Sequence, residues 1–125
     1  MRRGVDLDST LAHYEEWVAP DVIGEPIPLM AERVKHWLAV GDVVDVFTAR
    51  VHPSHGETDV ALARGAVQEW FWKHFGASVT VTCMKHPEWA DYWDDRAVQV
   101  IKNTGVRADG KVEAVCDGIG EFVCG

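Results

Sequence analysis

A chain of 125 residues has the size of one ordinary domain and can bury a hydrophobic core without a metal or disulfide staple. Its 47% hydrophobic and 26% charged residues are the composition of a soluble globular protein, which excludes a disordered or membrane-spanning chain. A net charge of -8 excludes a general nucleic-acid backbone binder, which needs Lys and Arg for phosphates, and suits a pocket of acids around a divalent cation.

The first residues, Met1-Arg2-Arg3-Gly4-Val5-Asp6, run from base to acid without an apolar stretch, so no secretory signal is expected. No segment reaches the roughly 20 apolar residues that span a bilayer. The expected location is cytoplasmic, without membrane contact. Cys83, Cys116 and Cys124 lack Cys-x-x-Cys spacing and read as free thiols rather than a disulfide framework or zinc site.

Arg3 to Leu7 reads as a short strand that ends abruptly in Asp8-Ser9-Thr10, side chains that favour turns. Leu11 to Trp17 is weakly helical, after which Pro20, Gly24, Pro26 and Pro28 predict an irregular flap over residues 18 to 28. Leu29 to Val40 predicts a helix whose stripe is Met30, Val34, Trp37 and Leu38, ended by Gly41. Val43 to Phe47 is a β-branched run suited to a buried parallel strand, and it leads into Thr48-Ala49-Arg50. Thr58 to Phe75 predicts a second helix, capped by Thr58 or Ser54 and stopped by Gly76. Ser78 to Thr82 is a third strand, and Trp89 to Trp93 a short element ending in Asp94-Asp95. Arg96 to Lys102 predicts a third helix, ended by Asn103-Thr104-Gly105.

This alternation predicts an α/β fold: a single-domain, Rossmann-like, three-layer α/β/α arrangement with a mainly parallel sheet and helices on both faces. Ligands of such sheets bind beyond the carboxyl ends of the strands, where each polar group of interest falls.

Asp6 and Asp8 are two apart on an extended backbone, so both can reach one ligand, one carboxylate attacking while its neighbour handles a proton. An Asx-turn explains half of such strings equally well. Thr48 could bond a phosphate oxygen but reads more simply as a helix cap. Lys85 by itself reads as a surface lysine. Asp94 and Asp95 are adjacent like charges that call for a cation or an arginine nearby.

The joint order is more specific than any member. An apolar strand ending in D-x-D, a second ending in Thr, then Lys, then paired Asp resembles the haloacid dehalogenase superfamily. Val5-Asp6-Leu7-Asp8-Ser9-Thr10 is similar to its first motif, Val46-Phe47-Thr48 to its second, Lys85 to its third and Tyr92-Trp93-Asp94-Asp95 to its fourth. Ser9 departs from the usual Gly or other small residue of the first motif.

The resemblance implies a magnesium-dependent phosphatase in which Asp6 attacks phosphorus and becomes an aspartyl-phosphate. It implies Mg2+ held by Asp6, the carbonyl of Asp8, and Asp94 or Asp95. Lys85 would neutralise charge, Thr48 would bond the phosphoryl oxygens, and Asp8 would protonate the leaving alkoxide and then activate water. Residues 11 to 47 and 49 to 84 leave no room for a cap domain, so the resemblance implies one capless domain over residues 1 to 125. Its substrate would be a small phosphate monoester, with a nucleotide or a nucleic-acid end among the options. Trp17, Arg50, His52 and His55 are candidates to line the open cleft, with Arg50 a candidate substrate contact. Trp37, Trp70, Trp72 and Trp89 read as packing surface or as a contact between subunits of a homo-oligomer.

Three other readings compete. A receiver module of a response regulator would place its acidic pair first, whereas this chain has it last. A dehalogenase would not need the acid Asp8. A non-catalytic binding or assembly module on the same fold stays open, although every motif residue is present.

Overall fold

Among the described residues four strands form one sheet in which every pairing is parallel: β1 (Arg2–Asp6), β2 (Val43–Phe47), β3 (Thr80–Thr82) and β4 (Trp89–Trp93), in spatial order β3-β2-β1-β4. The structure is a computed structural model and describes residues 1–111. Two α-helices, α1 (Pro28–Ala39) and α2 (Glu57–Phe75), connect β1 to β2 and β2 to β3. The α/β class and the parallel sheet are as the sequence predicts, with element ends shifted by one or two residues.

Among the described residues both helices lie on one face of the sheet, where helices on both faces are expected. The steps from β1 to β2 and from β2 to β3 run in the same direction across the sheet, so two right-handed crossovers put both helices on one face. One core results: Val5, Val44, Val46 and Val81 pack with Met30, Val34 and Trp37 of α1 and Ala63, Val67, Trp70 and Phe71 of α2. Phe71 is fully buried, and truncating it to Ala would cost about 3–5 kcal/mol.

The opposite face carries the alternate strand residues. Trp89 lies flat over Gly4, where a Cβ would come within 2.5 Å of its ring, and stacks on Tyr92 at 5.6 Å. Asp45 is 1% exposed because Arg2 and the indole nitrogen of Trp89 both donate to its carboxylate. Among the described residues no helix is long and apolar enough to cross a membrane.

Three local expectations are overturned. Leu11 to Trp17 is not helical, because its backbone bonds are spent within the loop: Ala12 bridges Pro26, and the amides of His13 and Ile27 donate to Glu25 and Leu11. Gly24 allows this closure, since a Cβ there would lie 2.0 Å from the His13 carbonyl oxygen. The cap of α2 is Gly56, at φ 86°, rather than Thr58 or Ser54; the Ser54 hydroxyl instead meets His52 Nδ1 at 2.7 Å. Glu57 and Asp59 in the first turn complement the helix dipole in place of a side-chain cap.

Arg96 to Lys102 is the third. The chain divides into two compact units, Met1–Asp95 and one that begins at Arg96. In the second, Val100 and Arg107 form an antiparallel bridge around a turn in which Asn103 has φ 65°, so the predicted helix is absent. Val98, Val100 and Ile101 are β-branched and disfavour a helix that has no stripe to bury, each being half exposed. Cys116 and Cys124 lie outside the described residues, and Cys83 is a free thiol.

Candidate active site at the carboxyl ends of β1 and β4

The strand order reverses beside β1: the chain steps from β1 to β2 to β3, then returns by residues 83–88 to the far side of β1. Crevices at such reversals are where open α/β sheets bind ligands. The parallel register pairs Val5 with Trp93, so Asp6 and Asp94, one position further along each strand, leave the sheet together.

Asp6, Asp94 and Asp95 each present a carboxylate oxygen, and the three oxygens lie within 4.8 Å of one another. The Thr10 hydroxyl lies between Asp6 and Asp95, 3.2 Å from Asp6 Oδ2 and 3.3 Å from Asp95 Oδ1, and it accepts from the Asp95 amide at 2.9 Å. Tyr92 donates its hydroxyl to Asp94 Oδ2 at 2.5 Å. Burial raises the Tyr92 pKa, and the bond to Asp94 raises it further, so the phenol remains a donor.

Burial also pushes the Asp6 carboxyl up to about 7; the charge of Asp94 and then the hydrogen bond and charge of Asp95 add to it, against the Thr10 hydroxyl. A carboxyl shifted this far by burial and then by neighbouring acids is a group that a divalent cation would return to its ionised form. Three carboxylates at this separation are a donor set that suits a hard cation such as magnesium.

Asp8 faces a different neighbour. Arg50 is buried on the one-turn helix Ala49–Val51, and it donates from Nε and Nη2 to the two oxygens of Asp8 at 2.9 and 3.0 Å. Its Nη1 donates to the carbonyls of Ala19 and Pro20, and its guanidinium sits 5.0 Å from the centre of the Trp17 ring. Trp17 stacks in turn on His55, 6.2 Å away. Trp17, Arg50 and His55 are therefore brought together, as three of the four cleft candidates, while His52 serves locally by accepting from the Ser54 amide.

Thr48 follows β2, is 2% exposed and accepts from the Arg50 amide at 3.1 Å, the capping role that its position in a turn suggests. Lys85 is exposed on the loop after β3, and among the described residues no hydrogen bond or ion pair ties it to the acids. Ser9 holds a left-handed backbone with φ 71°, which explains why glycine suits this turn.

Thr10 and Tyr92 were not singled out by sequence as site residues. Thr10 lay within the D-x-D-S-T string, but only the meeting of two distant strands shows what its hydroxyl reaches. Comparison with family models, with curated proteins and with solved structures gives no match.

Proposed function

We propose that this chain is a magnesium-dependent phosphohydrolase of the haloacid dehalogenase type, acting on a phosphate monoester through an aspartyl-phosphate on Asp6. The observation that carries this reading is the meeting of Asp6, Asp94 and Asp95 within 4.8 Å, with a fourth acid, Asp8, two residues along the chain from Asp6.

Magnesium held by Asp6, Asp94 or Asp95 and the Asp8 carbonyl would supply the positive charge that lets an anionic ester approach an anionic carboxylate. The remaining steps belong to the chain. The Asp6 carboxylate attacks phosphorus, and the phosphorus–oxygen bond to the leaving group breaks as Asp8, which enters this step as the protonated carboxyl, delivers its proton to that oxygen. Asp8 then takes a proton from water, which attacks the aspartyl-phosphate and releases phosphate. Thr10 and Tyr92 hold Asp95 and Asp94 in place. Thr48 and the exposed, mobile-stemmed Lys85 are the proposed contacts for the phosphoryl oxygens.

The Rossmann-like three-layer arrangement of the core domain belongs to the same proposal. So does a capless core domain over residues 1 to 125 in the cytoplasm, working as a monomer or a homo-oligomer. Its substrate is a small phosphorylated molecule, with a nucleotide or a nucleic-acid end among the options.

The test is hydrolysis of a panel of alkyl, aryl, sugar and nucleoside monophosphates with magnesium and with EDTA. Turnover of at least one ester that EDTA abolishes and Asp6→Asn removes is expected. No magnesium-dependent release of phosphate from any ester would overturn the reading.

A further inference from the structure

Arg50 holds two things at once. Its backbone is fixed by the Thr48 cap, and its side chain is 4% exposed. Four of its five N–H groups are committed: two to the carboxylate of Asp8 and two to the carbonyls of Ala19 and Pro20. The base of this loop is pinned separately, by the Ala12–Pro26 bridge and by Trp70 donating to the Gly24 carbonyl. Its outer part, Trp17 to Pro20, is held at the guanidinium itself, with the Trp17 ring packed on the plane.

A buried arginine needs partners, and either set would satisfy part of that need. What the geometry adds is that the fork on Asp8 and the grip on the loop belong to one rigid planar group. A shift of the loop must therefore turn the fork, and with it the Asp8 carboxylate. Lysine could keep the charge but not this linkage, because an ammonium presents a point charge rather than a plane of donors.

We propose that Arg50 is a positioning residue that couples the loop Trp17–Pro20 to the Asp8 carboxylate, so that the outer loop and the acid adopt their working positions together. The kinetic part of this inference rests on the phosphohydrolase reading; the structural part does not.

The experiment measures amide hydrogen exchange across residues 17–22 and across β1 and β2, together with kcat and KM on one alkyl and one aryl phosphate with magnesium. Wild type is compared with Arg50→Lys and Trp17→Ala. In Arg50→Lys, exchange in residues 17–22 should rise roughly tenfold or more while the strands keep their protection. The kcat for the alkyl ester should fall roughly tenfold or more, that for the aryl ester by less than about threefold, with KM nearly constant, because only the poor leaving group depends on Asp8 being placed.

Trp17 is 49% exposed, so its replacement tests the coupling even if Arg50→Lys does not fold. It should loosen the same segment and shift the alkyl-to-aryl ratio in the same direction. Unchanged exchange in residues 17–22 overturns the coupling, and so do equal kinetic losses on the two esters. The two esters are chosen from those that wild type hydrolyses; a wild type inactive on the whole panel overturns the phosphohydrolase reading instead, and the exchange measurement then decides the coupling alone.

Discussion

Asp6 and Asp8 leave the same strand end two residues apart, yet they face opposite surroundings. Asp8 is met by Arg50, which supplies two donors at 2.9 and 3.0 Å and fixes its carboxylate. Asp6 is pushed up to about 7 by its burial first and then by Asp94 and Asp95, which it meets at the strand end. One acid has its counter-charge built into the fold, while the other is part-buried and set among acids, and both raise its pKa. A carboxylate intended to bind an incoming cation has to be arranged in the second way, because a resident arginine would already satisfy it.

The sharpest way to break this comparison is to replace the two acids one at a time. On the proposed function, Asp6→Asn removes the attacking atom and should lower hydrolysis of any ester by about 10^4-fold or more, although the amide is nearly isosteric. Asp8→Asn should lower alkyl ester turnover by about 10^2 to 10^4 and spare aryl esters, whose leaving groups need little protonation. Steady-state kinetics on both ester types, with mass spectrometry to exclude deamidation, checks each. Similar profiles for the two variants would mean that the acids do not divide the chemistry.

The next effect is smaller and needs no substrate. Asp6 rises from 3.8 to about 7 on folding, so ionising it in the metal-free protein works against the fold. The contribution of Asp6 to stability is complete below about pH 3.8 and is lost as pH rises through about 7. A fully buried acid with such a shift would cost about 4 kcal/mol, but Asp6 is only half-buried, and screening reduces this to roughly 1–2 kcal/mol. In EDTA, the melting temperature should fall between pH 5 and pH 8, and Asp6→Asn should flatten that fall. Magnesium at pH 8 should recover the loss, since a ligand of the folded state alone raises its stability. A pH profile identical in wild type and Asp6→Asn would detach the shift from this residue.

The same contrast bears on what could be read before the structure. β2 and α1 were legible because a β-branched run and a 3.6-residue stripe are local signals, and β1 and α2 because turn residues close the first and Gly76 stops the second. The motif acids were legible as residues. Their roles were not, because Arg50 and Asp8 are 42 positions apart and Thr10 and Asp95 are 85 apart, and only strand order brings each pair together. Strand order also decided which face the helices cover, and nothing local in the sequence encodes that both connections step the same way. The predicted helix at Arg96 to Lys102 failed for the opposite reason: a local pattern was read where Val98, Val100 and Ile101 find no core to bury them.

The smallest expected effect sharpens the loop that carries both acids. Ser9 sits between Asp8 and Thr10 with φ 71°, a region in which a Cβ meets the following carbonyl and which favours glycine. Its side chain is exposed, so Ser9→Gly removes little packing. Two effects then oppose each other: relief of the left-handed strain, about 1–2 kcal/mol, and the greater freedom of glycine in the unfolded chain, about 0.5–1 kcal/mol. The difference favours the variant by about 0.5–1 kcal/mol, or a rise of a few degrees in melting temperature for a chain of this size. Ser9→Ala keeps the Cβ and so the strain, and should gain nothing. A thermal melt of the three proteins in EDTA at pH 5, where Asp6 is protonated, separates this backbone effect from the electrostatic one. If Ser9→Gly melts at or below the wild-type temperature, the serine is contributing more to the turn than its backbone angle costs.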